Sequence, residues 1–179
     1  MEPIKEALTF DDVLLLPRYS SIVPSSTNLT LNISKSIRLK LPFISSAMDT
    51  VTESRMAIAM AQNGGMGVIH RNLEIKQQIN EIKKVKKHNL NVAAAIGTTK
   101  KELNRAKSLI DSGTSMLVID TAHGHSKNVI DILNKIKKFS KNIVICVGNI
   151  ATSEAAKILY NSGADILLSL IHISEPTRR

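Results

Sequence analysis

A unit of apolar strand, polar tip and amphipathic helix recurs in this chain about every 25 residues, the spacing of repeated βαβ construction. Strand candidates fall at 41–46, 65–70, 91–97, 116–120, 142–149 and 165–170. They are continuous apolar runs such as Asn142-Ile-Val-Ile-Cys-Val-Gly148, rich in β-branched residues and too short for helices. Runs of that kind suit strands covered by helices on both faces. Between them the apolar period changes. Ile75, Ile79, Ile82 and Val85 recur at helical spacing, as do Leu103, Ala106, Leu109 and Ile110, and Val129, Ile130, Leu133 and Ile136.

Start and stop signals agree with that division. Thr99-Lys-Lys-Glu102 has capping-box spacing, and Ser126 and Ser153 stand at N-cap positions. Gly113 and Gly163 fall where a helix ends on a left-handed residue. Right-handed crossovers then give a parallel sheet. The pattern predicts an α/β fold, a (β/α)8 TIM barrel truncated after about six strands, with an open doubly wound sheet as the alternative. In a barrel the strand tips meet on one face, where such folds place their chemistry. Ser45, Ser46 and Asp49 follow the first strand, His70 and Asn72 the second, Asp120 and Thr121 the fourth, and Asn149 the fifth.

Composition narrows the function classes. The 179 residues can bury a core, although a complete barrel usually takes about 250. Hydrophobic residues make up 43 % of the chain without an apolar stretch of membrane-spanning length, so no membrane partner is expected. The opening Met1-Glu-Pro-Ile-Lys-Glu6 lacks the form of a signal peptide. The single cysteine, Cys146, excludes an internal disulfide and fits a reducing compartment. A cytoplasmic location is the expectation. The net charge of +9 comes largely from lysines near helix ends, Lys83, Lys84, Lys86 and Lys87, then Lys135, Lys137, Lys138 and Lys141. The helix macrodipole favours cations there. Aromatics are 3 % with no Trp, so a platform for stacking bases is missing and no nucleic-acid partner is expected. The basic surface would still draw in a phosphorylated small molecule.

Three regions are expected. Residues 1–40 are an N-terminal segment and hairpin leading into the barrel, 41–168 the partial barrel, and 169–179 a non-native tail. The hairpin is read from polar–apolar alternation at 28–33 and 36–41, and plugging the barrel's N-terminal end is a natural role for it.

Five stretches, in order, resemble the IMP dehydrogenase family. They are Thr9-Phe-Asp-Asp-Val-Leu-Leu-Leu-Pro17, Ser45-Ser-Ala-Met-Asp-Thr-Val-Thr-Glu-Ser-Arg-Met-Ala-Ile-Ala-Met60, Gly64-Gly-Met-Gly-Val-Ile-His70, Asp120-Thr-Ala-His-Gly-His-Ser126 and Gly148-Asn-Ile-Ala-Thr152. The resemblance implies a (β/α)8 barrel that assembles as a homotetramer and oxidises IMP to XMP with NAD⁺ and water in guanine nucleotide synthesis. In that family a cysteine attacks C2 of the purine, hydride leaves to NAD⁺, and water hydrolyses the thioimidate. By position, Ser46 and Met48 resemble residues that hold IMP. Asp120, Thr121 and Ala122 resemble the segment at the nicotinamide end of NAD⁺, and Asn149 a residue facing both purine and nicotinamide.

Plainer roles compete at several positions. Asp49 could cap a helix beginning near Thr52. Met56, Met60 and Met66 read as core fillers. His123 and His125 lack carboxylate support, so no metal site is expected.

The sequence departs from the family twice. Most members carry a pair of CBS domains after the second helix, whereas Lys86-Lys-His-Asn-Leu-Asn91 runs straight into the third strand. GMP reductases share the barrel without CBS domains and are the alternative. The Thr-Val-Thr-Glu-Ser-Arg stretch and the opening motif favour the dehydrogenase. A non-catalytic half-barrel binding module is the alternative from another class. After Leu168 the family continues into a Gly-Ile-Gly-Pro-Gly-Ser-x-Cys loop that supplies the nucleophile, phosphate contacts and a potassium site. Here Ser169-Leu-Ile-His-Ile-Ser-Glu-Pro-Thr-Arg-Arg179 stands instead. Cys146 lies inside an apolar strand run and reads as a small buried hydrophobe, so no catalytic nucleophile is assigned and the chain by itself is expected to be inactive.

Overall fold

A computed structural model describes residues 6, 8 and 12–169 of the chain. A short antiparallel hairpin comes first, β1 (Leu31–Asn32) against β2 (Arg38–Leu39), with Leu31 opposite Leu39. Strands and helices then alternate: β3 (Ile44–Ser45), α1 (Ser54–Gln62), β4 (Met66–Ile69), α2 (Ile75–Lys86), β5 (Ala93–Ile96), α3 (Glu102–Asp111), β6 (Met116–Asp120), α4 (Lys127–Phe139), β7 (Val144–Ile150), α5 (Ser153–Asn161) and β8 (Ile166–Ser169). All pairings from β3 to β8 are parallel, and each strand lies beside the next in sequence. That order belongs to a barrel. A doubly wound sheet would reverse at a switch point, and this one does not. The six strands form a curled half-barrel, as the pattern predicts.

The period of the strands divides the core in two. Ala94, Ile96, Leu117, Ile119, Ile145 and Val147 point outward, under Ile82, Val85, Leu109, Leu133 and Ile136 of the helices. Ala93, Ala95, Met116, Val118, Val144 and Cys146 point inward. Ile37 and Leu39 of the hairpin join the inward set at 1 % and 2 % exposure, so the hairpin closes one end of the barrel interior. The predicted helical stripes face the outer core. Gly113 and Gly163 end α3 and α5 at φ +90° and +99°, the left-handed region expected of them.

Local signals resolve less well. The first strand is two residues long rather than six, and Pro42, without an N–H, cannot extend its ladder toward Leu41. Thr152, not Ser153, caps α5, its Oγ1 accepting from Ala155 N at 3.2 Å. Ser126 holds the N-cap position of α4 without a side-chain hydrogen bond. The Thr99–Glu102 box does not form; Lys101 is the N-cap of α3, and Glu102 reaches back to Gly97 N at 2.8 Å. Met66 is fully buried, but Met56 is 39 % exposed because it lies on the outer side of α1. Residues 9–11 of the opening motif and 170–179 of the expected tail lie outside the described residues.

Two buried polar groups stitch neighbouring units together. Gln78 Nε2 donates to the carbonyls of Ile69 and Ala95, at 3.3 and 2.9 Å, and its Oε1 accepts from Arg105 Nη1 at 2.7 Å. The C-terminal ends of β4 and β5 are thereby held side by side. Glu81 Oε2 accepts from Ser54 N at 2.8 Å, so a carboxylate on α2 satisfies an orphan N–H at the start of α1. Burial alone would raise the Glu81 pKa, but hydrogen bonds from Lys84 and Ser54 outweigh it and hold the carboxyl below its ordinary 4.5. Among the described residues no helix is long and apolar enough to cross a membrane.

Candidate functional site

The C-terminal tips of the strands enclose a cleft of about 370 Å³. Its floor is the inward face of the sheet, with Val118 of β6, Cys146 of β7 and Ile166 of β8. Its rim carries the polar tips Ser46, Asp49, Asn72, Asp120 and Asn149. An apolar base with a few converging polar groups is the usual make-up of a small-molecule site.

Buried Thr52 fixes the β3 side of the rim. Its hydroxyl donates to the Ser46 carbonyl at 2.7 Å and stands 2.8 Å from Ser45 Oγ. The Met48 carbonyl accepts from Val51 N and Thr52 N, each at 3.0 Å. Ser46 is left exposed and Met48 half-buried at the cleft. Asp49 does not cap α1, which starts at Ser54; its Oδ1 accepts instead from the adjacent Thr50 N at 3.0 Å.

Backbone bonds join the tips of β6 and β7. Thr121 N donates to the Gly148 carbonyl at 3.0 Å, Asn149 N to the Thr121 carbonyl at 2.7 Å, and Gly124 N to the Asn149 carbonyl at 2.7 Å. A side chain at 124 would crowd that last carbonyl, since a Cβ there would lie 2.9 Å from it. Thr121 Oγ1 is taken by the Gly148 carbonyl at 2.9 Å. Among the predicted site residues, then, Ser46, Met48, Asp120 and Asn149 meet at one cleft, while Thr121 and Ala122 do not line it. Asn149 is 4 % exposed and lines the cleft, where an amide side chain offers both a donor and an acceptor.

Cys146 sits on the floor at 5 % exposure. Burial first, and the negative charge of Asp120 second, push its thiol up to about 12. His70 is buried, its Nε2 3.4 Å from Glu53 Oε1, and the cleft does not include it. The rings of His123 and His125 stand 6.4 Å apart, and among the described residues no three His, Cys, Asp or Glu side chains gather as a metal site would require. Sequence reasoning passed over Arg71, which lines the cleft at the tip of β4. The signal was its place between the two flagged tips, His70 and Asn72.

Residues 7–169 match the family model described as the IMP dehydrogenase / GMP reductase domain. The chain belongs to that family. Among curated relatives it is 39 % identical to an inosine-5'-monophosphate dehydrogenase of Cryptosporidium parvum, across 90 % of the chain and 50 % of the relative. The enzyme of that name from Borreliella burgdorferi is 38 % identical, across 91 % of the chain and 53 % of the relative. One from Staphylococcus aureus is 30 % identical, across 91 % of the chain and 59 % of the relative. The chain thus spans about half the length of the curated relatives it matches. The Staphylococcus alignment runs over 290 positions, so a long stretch of that relative faces a gap in this 179-residue chain.

Proposed function

We propose that this chain carries the N-terminal part of an IMP dehydrogenase barrel, which oxidises IMP to XMP with NAD⁺ and water in guanine nucleotide synthesis. The carrying observation is the single cleft that gathers Ser46 and Met48 from one side and Asp120 and Asn149 from the other. The relatives named as IMP dehydrogenases support this reading over GMP reductase. The long alignment gap supports the absence of a CBS-type insertion.

In this reading Ser46 and Met48 hold IMP against the β3 tip. The Asp120 carboxylate accepts hydrogen bonds from the hydroxyls of the nicotinamide riboside, and the Asn149 amide faces the purine and the nicotinamide ring. Thr121 and Ala122 act through the backbone that shapes the β6 tip. NAD⁺ supplies the hydride acceptor. The half-buried carboxylate of Asp120 and the amide of Asn149, both lining the cleft, fit a ribose and a ring amide, so the residues present suit that cofactor. Cys146 does not suit the nucleophile, because a thiol at about 12 stays protonated at neutral pH. In this reading nucleophile, potassium site and turnover belong to the family's Gly-rich loop. The same reading makes 1–40 the lead-in, 41–168 the partial barrel and 169–179 foreign to it. The intact enzyme is a cytoplasmic homotetramer.

Binding measured on two variants tests the assignment. Asp120→Ala is expected to weaken NAD⁺ binding by roughly 1.5–3 kcal/mol, the range for a hydrogen bond to a charged group, with IMP binding unchanged. Ser46→Ala is expected to weaken IMP binding by roughly 0.5–1.5 kcal/mol, with NAD⁺ binding unchanged. If Asp120→Ala only lowers the melting temperature and leaves both affinities intact, Asp120 merely ties the β6 turn and the cofactor role is wrong.

A further inference from the structure

Three charged side chains line the cleft, Asp49, Arg71 and Asp120. The lone cation among them is placed with care. Arg71 Nη1 and Cζ lie 3.2 and 3.5 Å from the point where a Cβ on Gly97 would stand, so the guanidinium crosses from the tip of β4 to that of β5. The glycine leaves the room it occupies. The carboxylate beside it is engaged elsewhere: Glu102 Oε2 accepts from Gly97 N at 2.8 Å and pairs with Arg105 Nε at 3.3 Å. Asp49 accepts from its neighbouring backbone N–H. Among the described residues Arg71 has neither an ion-pair nor a hydrogen-bond partner.

An unpaired guanidinium on the exposed rim of a cleft with an apolar floor is suited to an anion. A nucleotide brings phosphoryl oxygens that must exchange water for donors, and the other charged groups of the rim repel them. Arg presents a planar fork that matches such oxygens two at a time. We propose that Arg71 is a phosphate-binding residue of the cleft, gripping a phosphoryl oxygen of a nucleotide laid across the tips of β4 and β5. This rests on the nucleotide reading above. Gly97 is the positioning residue, since its bare Cα sets where the guanidinium lies.

The phosphate has two possible sources, the 5′-phosphate of a mononucleotide and the diphosphate bridge of a dinucleotide. Equilibrium binding to this chain with four probes separates them: IMP against inosine, and NAD⁺ against nicotinamide riboside. Arg71→Gln is expected to weaken one phosphorylated probe about tenfold, the size of one charge-assisted hydrogen bond, and to leave both unphosphorylated probes unchanged. Loss for IMP identifies the monophosphate, and loss for NAD⁺ identifies the diphosphate. Arg71→Lys is expected to retain part of the affinity. Gly97→Ala puts a methyl against Nη1, the far end of a flexible side chain, and is expected to weaken the same probe two- to threefold with no change of charge. If inosine or nicotinamide riboside binds but Arg71→Gln leaves IMP and NAD⁺ untouched, the Arg71 proposal fails and the nucleotide cleft stands. If none of the four probes binds, both fail.

Discussion

Cys146 of the folded chain is expected to react with a chromogenic disulfide reagent at pH 8 about a thousandfold more slowly than in the chain unfolded by guanidinium. The thiolate is the reacting species, so the rate follows the ionised fraction. A free cysteine near pKa 8.5 is about one-quarter ionised at pH 8. A thiol pushed up to about 12 is ionised in roughly one molecule in ten thousand. Side chains packed around the inward face, Val118 and Val144 among them, slow the reagent further. The functional consequence is direct. With no ready thiolate in the cleft the covalent route is closed, and this chain is expected to form no IMP-dependent NADH, even with potassium present. Reaction at the unfolded rate, or turnover above a control without protein, would return Cys146 to the list of nucleophiles.

Gly67→Ala is expected to cost roughly 1–3 kcal/mol, the usual penalty of overpacking. Gly67 lies in β4 under α1, and a Cβ there would stand 2.5 Å from Ala57 Cβ and crowd Ala57 Cα as well. A rotamer change cannot relieve a clash with backbone, so α1 must shift. Its N-terminus is tied to Glu81, and Thr52 just before it holds the rim of the cleft. The destabilisation should therefore appear as a lower urea midpoint together with weaker binding at the β3 tip. Combining Gly67→Ala with Ala57→Gly should cost less than the two changes separately, because the second removes one of the two clashing atoms. Additive losses would show that α1 and β4 are not packed at this point.

The fold was legible because each strand is a continuous apolar run and each helix carries a clean stripe. Residues such as Ile82 and Val147 have one side to bury and are placed by period alone. The misses were choices between near-equivalents. Thr152 and Ser153 both offer a hydroxyl, and only the backbone at the turn decides which accepts from Ala155 N. Glu102 could have closed a capping box, but the buried Gly97 N–H just past the end of β5 claimed it. Long-range contacts left no local mark. Nothing near Ser54 announces that its N–H will meet Glu81, 27 residues on. The tip positions Ser46, Asp120 and Asn149 could be named from the strand ends, because a parallel barrel brings those ends together. Arg71 carried only a positional mark, its place between His70 and Asn72, since its role comes from the space above Gly97 just past the end of β5.

In the proposed function the strand tips form one nucleotide cleft. Amide NMR spectra of the isotope-labelled chain, titrated separately with IMP and NAD⁺, test it most directly. The expected result is a set of shifts centred on residues 45–49 and 149 for IMP, and on 120–124 and 149 for NAD⁺. The lysine-rich helix ends at 83–87 and 135–141 should stay unmoved. Shifts centred on those lysines with the tips unchanged would mean that charge on the outer surface, and not the cleft, binds the nucleotide.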